Sequence, residues 1–173
     1  MAWTAPEVTR QRAPYVAGER EMLEGWLDFH RQTLLAKCAG LSAEQLKMRA
    51  TPPSNMSLLG LVRHMAEVER AWFRRRVAGE TAGFLYCSDA EPDGDFDNVD
   101  TANAEDDITV YQREVELARQ AGAGHELDET FGHTHRKVDM NVRWVYMHMV
   151  EEYARHNGHA DLLRERIDGA TGA

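Results

Sequence analysis

The residues best able to do chemistry in this chain lie in one run near its C-terminus, HMVEEYARHNGHADLLRE, from His148 to Glu165. The run reads as part of a long helix, and its polar residues then fall where a helix should be apolar. At about 100° per residue, Val145, Met149, Glu152, His156, Leu163 and Ile167 project within roughly 60° of one another, with His159 beside them. One face is therefore expected to carry both the core and the chemistry. A carboxylate followed one turn later by an imidazole is costly to bury unless something charged or strongly hydrogen-bonding neutralises it, and a divalent metal would do so.

A facing helix can complete such a site. In LLGLVRHMAEVERAWFRRRVAG, Leu61, Met65, Val68 and Trp72 form one stripe, and His64 lies on its flank, turned to the interior. The expected metal ligands are His64, Glu152 and His156, because residues four apart on a helix point the same way and a second helix supplies the third donor. Two imidazoles and a carboxylate suit zinc first, and the same set can hold nickel or iron. Three protein ligands leave a position for water or substrate, the catalytic rather than the structural pattern. Water on such an ion becomes a nucleophile near neutral pH, and a thiol becomes a thiolate. His148 and His159 lie about one turn to either side and are alternatives for a ligand position, or groups that orient the ligands. Arg155 and Arg164 read as solvated helix arginines, with the holding of an acidic substrate as the alternative.

The elements that must position these residues follow from pattern. Residues 1–16 hold Pro6 and Pro14 and read as an extended arm. GEREMLEGWLDFHRQTLLAKCAG then sets Met22, Leu23, Trp26, Leu27, Phe29, Leu34 and Leu35 at helical spacing, with His30 beside them as a partly buried, hydrogen-bonded histidine. Gly40 is a natural stop, and Ser42 with Gln45 can form a capping box for a short helix. TPPSNMS breaks the chain and delivers Ser57 as the cap of the next helix. Residues 79–108 read as a long acidic loop, solvated and placed to cover a bundle end. Its DGDFDNVD portion is not an EF-hand, since Asn98 and Ala104 stand where such a loop needs Gly and Glu. A third helix is expected over TVYQREVELARQAGAG, and a short extended segment around Thr130, Phe131, Thr134 and Val138. His125, His133 and His135 in that region read as exposed loop histidines rather than ligands. The last helix runs from an Asn141 cap to about Ile167, with Asp168-Gly169 ending it. Four long helical segments and little strand imply an all-α bundle, a single domain over residues 1–173.

A formal net charge of −9 argues against nucleic acid as a partner, and the one basic cluster, Arg74 to Arg76, is short and reads as solvated. No apolar run suggests a secretory signal or a membrane span, so a cytoplasmic protein without a membrane partner is expected. Cys38 and Cys87 match no paired metal motif and are expected as reduced thiols.

Two segments, SLLGLVRHMAEVERAWF and RWVYMHMVEEYARHNGHADLLRERIDG, resemble the signature segments of the DinB-like superfamily, specifically its mini-circle protein branch. The resemblance extends to GEREMLEGWLDFHRQTLLAKCAGLSAEQL and so covers nearly the whole chain. It implies a four-helix bundle, here with the long acidic loop between helices two and three, and often a homodimer. It also implies a divalent metal held by a second-helix histidine, matching His64, and by two residues four apart in the last helix, matching Glu152 and His156. Many members carry histidine where this chain has Glu152. The related metal-binding domain of mycothiol-dependent maleylpyruvate isomerase looks like a His, Glu, His site. The superfamily includes transferases and isomerases that use small thiols such as mycothiol or bacillithiol. The expectation is thus a metal-dependent thiol S-transferase or isomerase acting on a small-molecule substrate, or a hydrolase using metal-bound hydroxide. A reading from a different class is a non-catalytic metal-binding stress-response protein; a metal-free bundle with hydrogen-bonded Glu152 and histidines is a third.

Overall fold

Most helices of this chain begin where a side chain satisfies orphan amides of the first turn. A computed structural model describes residues 2–133 and 137–172. Helix α1 spans Glu19–Cys38, α2 Ala43–Lys47 and α3 Leu58–Glu69, which winds on without a break into a wider π-type segment, Arg70–Val77. After α4 (Gly94–Asp97) and α5 (Ala104–Ala123) come strands β1 (Thr130–His133) and β2 (Val138–Asn141), then α6 (Val142–Asp168). Ser42 and Gln45 form the expected capping box. Ser57 accepts from the Gly60 amide at 3.0 Å and Asn141 from the Trp144 amide at 2.9 Å. Gly169 ends α6 at φ +79°, a left-handed conformation that costs glycine little.

The protein is therefore mostly helical, with one two-stranded antiparallel sheet in which Thr130 faces Asn141 and Phe131 faces Met140. That hairpin places Thr130, Phe131 and Val138 of the expected extended segment, while Thr134, His135 and the side chain of His133 lie outside the described residues. Helix α5 starts earlier than its apolar stripe. Asn103 accepts from the Glu105 and Asp106 amides, and three acidic residues in the first turn suit the positive end of the helix dipole. The acidic run at its start is helix rather than loop.

Helix α6 packs along α1 and against α3, and α3 with its π-type extension packs on α5. Leu27, Leu34, Leu61, Met65, Val145 and Met149 are fully buried between them. Each such side chain contributes about 1.5–3 kcal/mol of burial free energy. One polar network crosses this core and touches all four long helices. Arg31 of α1 grips Glu69 of α3 with Nε and Nη2, both at 2.7 Å. Tyr153 of α6 donates to the same carboxylate at 2.7 Å, and its oxygen is 2.9 Å from the hydroxyl of Tyr111 on α5. Burial alone would lower the pKa of Arg31, but the charge and hydrogen bonds of Glu69 outweigh it and hold the guanidinium well above its usual value.

The extended arm is pinned to the bundle. Ala5 donates to Leu41 and accepts from Gly40, both at 2.9 Å, and Thr4 bridges Ser42. Arg164 is not a rim arginine awaiting a substrate: it donates to the carbonyls of Lys37 and Ala39 at the end of α1 and pairs with Asp168. The arginine cluster is likewise engaged. Arg74 binds Glu80 and Glu114, Arg75 lies over Phe84, and Arg76 lies over Trp72.

Candidate metal centre

On α6 the buried line runs Val142, Val145, Tyr146, Met149, Tyr153, Asn157, Ala160 and Leu163. Glu152 and His156 lie on its edge rather than in its middle, with side chains 17 % and 12 % exposed. Core and chemistry are therefore adjacent stripes of one helix, which leaves the polar pair half-buried and reachable. His64 approaches from α3, its ring centroid 4.8 Å from that of His156. His64, Glu152 and His156 each offer one donor atom, and these atoms all lie within 4.8 Å of one another.

Each member is held in a state suited to ligation. The Nδ1 of His64 is 2.8 Å from Oδ2 of Asp95, whose side chain is 5 % exposed. A carboxylate on Nδ1 fixes the ring and leaves Nε2 as the donor, as behind many metal-bound histidines. Burial, helped by the neighbouring His64, His159 and Arg155, pushes His156 down to about 4, so its imidazole is neutral at pH 7. Its Nε2 stands 3.5 Å from Glu152 Oε2, while its Nδ1 is 3.4 Å from Nδ1 of His159. His159 thus touches a member of the cluster from outside it. Glu152 has no arginine or lysine within ion-pair distance among the described residues; the side chains nearest its oxygens are the imidazoles of His156 and His148. A half-buried carboxylate facing the neutral His156, with no guanidinium or ammonium beside it, is one that a divalent cation would stabilise. By donor chemistry the residues present fit an ion.

His148 stands on the other side of Glu152, its Nε2 3.7 Å from Oε1. It is stacked on Trp144 at 4.8 Å and meets the edge of Trp72 at 4.6 Å. With Glu151 and Glu152 it forms a second group of donors within 4.8 Å. Exposed Arg155 pairs with Glu151. His125, by contrast, is paired with Glu129 at 2.9 Å and joins no such group among the described residues. His30 is the hydrogen-bonded histidine expected: Asn157 donates to its carbonyl at 3.1 Å and lies 3.3 Å from its Nδ1.

A cleft of about 290 Å³ opens beside His64, lined by Trp72, Arg76, Phe84, Cys87, Asp95 and Phe96 among others. A larger hollow of about 560 Å³ lies under the N-terminal arm and contains none of the cluster. The cleft exists because the loop after α3 folds back. Glu67 accepts from the amides of Leu85, Tyr86 and Cys87, at 2.6, 2.6 and 3.1 Å. Arg63 holds Asp107 and the Gly94 carbonyl, which seats α4 on α3. Cys87 is a free thiol pushed up to about 11, chiefly by burial, and Cys38 is buried and pushed up to about 12.

Asp95 is the residue that sequence reasoning missed. It sits in DGDFDNVD, where four aspartates alternate with other residues and pattern gives no means of choosing among them. Trp72 and Trp144 were readable as helical residues, but not as the two walls around His148.

A histidine of one long helix set against a Glu and a His one turn apart on another is the arrangement that the resemblance to the DinB-like superfamily implied. Comparison of families narrows this: the mycothiol S-transferase family model matches residues 22–169, from the first turn of α1 to the residue that ends α6. The chain belongs to that family. No curated protein and no solved structure matches it significantly.

Proposed function

We propose that the protein is a divalent-metal-dependent S-transferase that joins mycothiol, or a similar small thiol, to an electrophilic small molecule. The observation that carries this reading is the uncompensated Glu152 carboxylate flanked by His64 and a neutral His156, in a chain of a mycothiol S-transferase family. His64, Glu152 and His156 would hold the ion, with zinc favoured by the donor set and nickel or iron compatible with it. When bound, the ion would lower the pKa of a thiol brought to it. Glu152 moderates the positive charge at the site, and Asp95 keeps the His64 ring oriented. In the transfer the thiol loses its proton to solvent or a nearby base, a sulfur–carbon bond forms, and the leaving group departs with the bonding electron pair. The cleft beside His64, with Trp72, Phe84 and Phe96 along it, offers an apolar wall for the electrophile.

The same reading takes the four long helices as a DinB-type four-helix bundle in one domain, with the acidic loop over one end. It makes the protein a cytoplasmic homodimer. No helix among the described residues is long and apolar enough to cross a membrane.

The test is conjugation of mycothiol to 1-chloro-2,4-dinitrobenzene by metal-loaded protein. Wild type should accelerate the reaction, and His64→Ala and Glu152→Ala should lose that acceleration while staying folded by circular dichroism. Metal-loaded wild type that leaves mycothiol unreacted with this and other electrophiles would favour the non-catalytic alternative.

A further inference from the structure

The two oxygens of Glu152 face different imidazoles. Oε2 is 3.5 Å from Nε2 of His156, and Oε1 is 3.7 Å from Nε2 of His148. His148 in turn has a carboxylate at each ring nitrogen, because its Nδ1 lies 3.3 Å from Oε2 of Glu151. Trp144 stacked on one face of His148 and Trp72 against it fix the direction of the ring. Yet the group of His148, Glu151 and Glu152 does not merge with His64 and His156 into one set of mutually close donors. Only Glu152 belongs to both.

We infer that Glu152 is a bridging carboxylate between two cation positions. One is the His64, Glu152 and His156 position, and the other is a second divalent-cation site formed by His148, Glu151 and Glu152. The inference rests on the reading above only through the shared carboxylate. Two carboxylates and one imidazole make the second position harder and richer in oxygen than the first, so it suits manganese, cobalt or zinc without demanding a soft ligand. It is also the weaker position. Glu151 is half-exposed and already shared with Arg155, so a cation must compete with water and with a guanidinium. Paired ions that share a carboxylate are a recurring device for holding a nucleophile and a leaving group at once.

The test is titration of cobalt(II) into metal-free protein, followed by calorimetry and by tryptophan fluorescence. Trp72 and Trp144 touch His148, so occupation of the second site should quench their emission. Wild type should show two binding events per chain, with the weaker one quenching. His148→Ala and Glu151→Gln should each weaken the second event by about tenfold or more and spare the first. His64→Ala should remove the first and spare the second, and Glu152→Gln should weaken both. A single event lost in His64→Ala overturns the second site and leaves the proposed function intact, whereas no event at all in wild type overturns both. A second event unchanged in His148→Ala and Glu151→Gln also overturns the second site.

Discussion

Helices α3 and α6 meet at two carboxylate clusters of opposite character. At Glu69 the chain supplies its own counter-ion: Arg31 binds both oxygens, Tyr153 adds a third hydrogen bond, and the side chain is fully buried. At Glu152 it supplies imidazoles, one of them held neutral by burial, and the side chain stays partly exposed. The same residue type on the same pair of helices is structural in one place and available in the other. What separates them is whether the protein has already spent a cation on the site. A buried charge that is fully paired is inert, and one left without a counter-ion marks where something from outside belongs.

Substitution of the carboxylates should separate the two clusters most strongly. Glu69→Ala leaves the buried Arg31 with only the part-exposed Asp28 as a carboxylate partner and should lower unfolding free energy by about 3 kcal/mol in urea titration. Glu152→Ala in the metal-free protein removes a charge that has no buried cation, and should cost less than about 1 kcal/mol. Equal costs would erase the distinction.

The pH dependence of the metal-free protein sharpens it further. The unfolded His156 titrates near the ordinary imidazole value, whereas burial lowers the folded one to about 4. The unfolded chain therefore binds more protons in this window, and stability should fall as pH drops from about 6.5 to 4, by roughly 1–3 kcal/mol. His156→Gln should flatten that slope in thermal melts taken across the window.

Asp95→Ala should weaken metal binding by about 10–100-fold, because His64 loses the partner that fixes its ring. Direct titration would show this, with the secondary structure unchanged by circular dichroism. Smallest of all, Arg155→Ala breaks an exposed pair with Glu151 and should change stability by less than about 0.5 kcal/mol.

Much of this contrast was legible in the sequence on one side only. The helical spacing of Glu152 and His156, and the flank position of His64, depend on local periodicity, so they could be read without a partner in view. The caps at Ser42, Ser57 and Asn141 were readable for the same reason. The Arg31 to Glu69 pair joins residues 38 positions apart, and nothing in either helix announces the other. Asp95 reaches His64 across 31 positions from a stretch of similar aspartates. Sequence placed Glu152 and His156 within the apolar face; packing centred that face on Tyr153 and Asn157, whose hydroxyl and side-chain amide nitrogen find partners inside the bundle. The first turn of α5 was hidden because its acidic residues look like loop until the Asn103 cap and the helix dipole are considered together.

Glu152, unlike Glu69, waits for a cation, and the metal content of the purified protein shows whether one arrives. Wild type, His64→Ala, Glu152→Ala and Glu69→Gln would be purified without added metal and analysed by mass spectrometry. Wild type should carry at least one divalent ion per chain, retained in folded Glu69→Gln and lost in His64→Ala and Glu152→Ala. Wild type that carries no metal, even after incubation with zinc or nickel, would contradict it and leave Glu152 as a carboxylate hydrogen-bonded to its histidines.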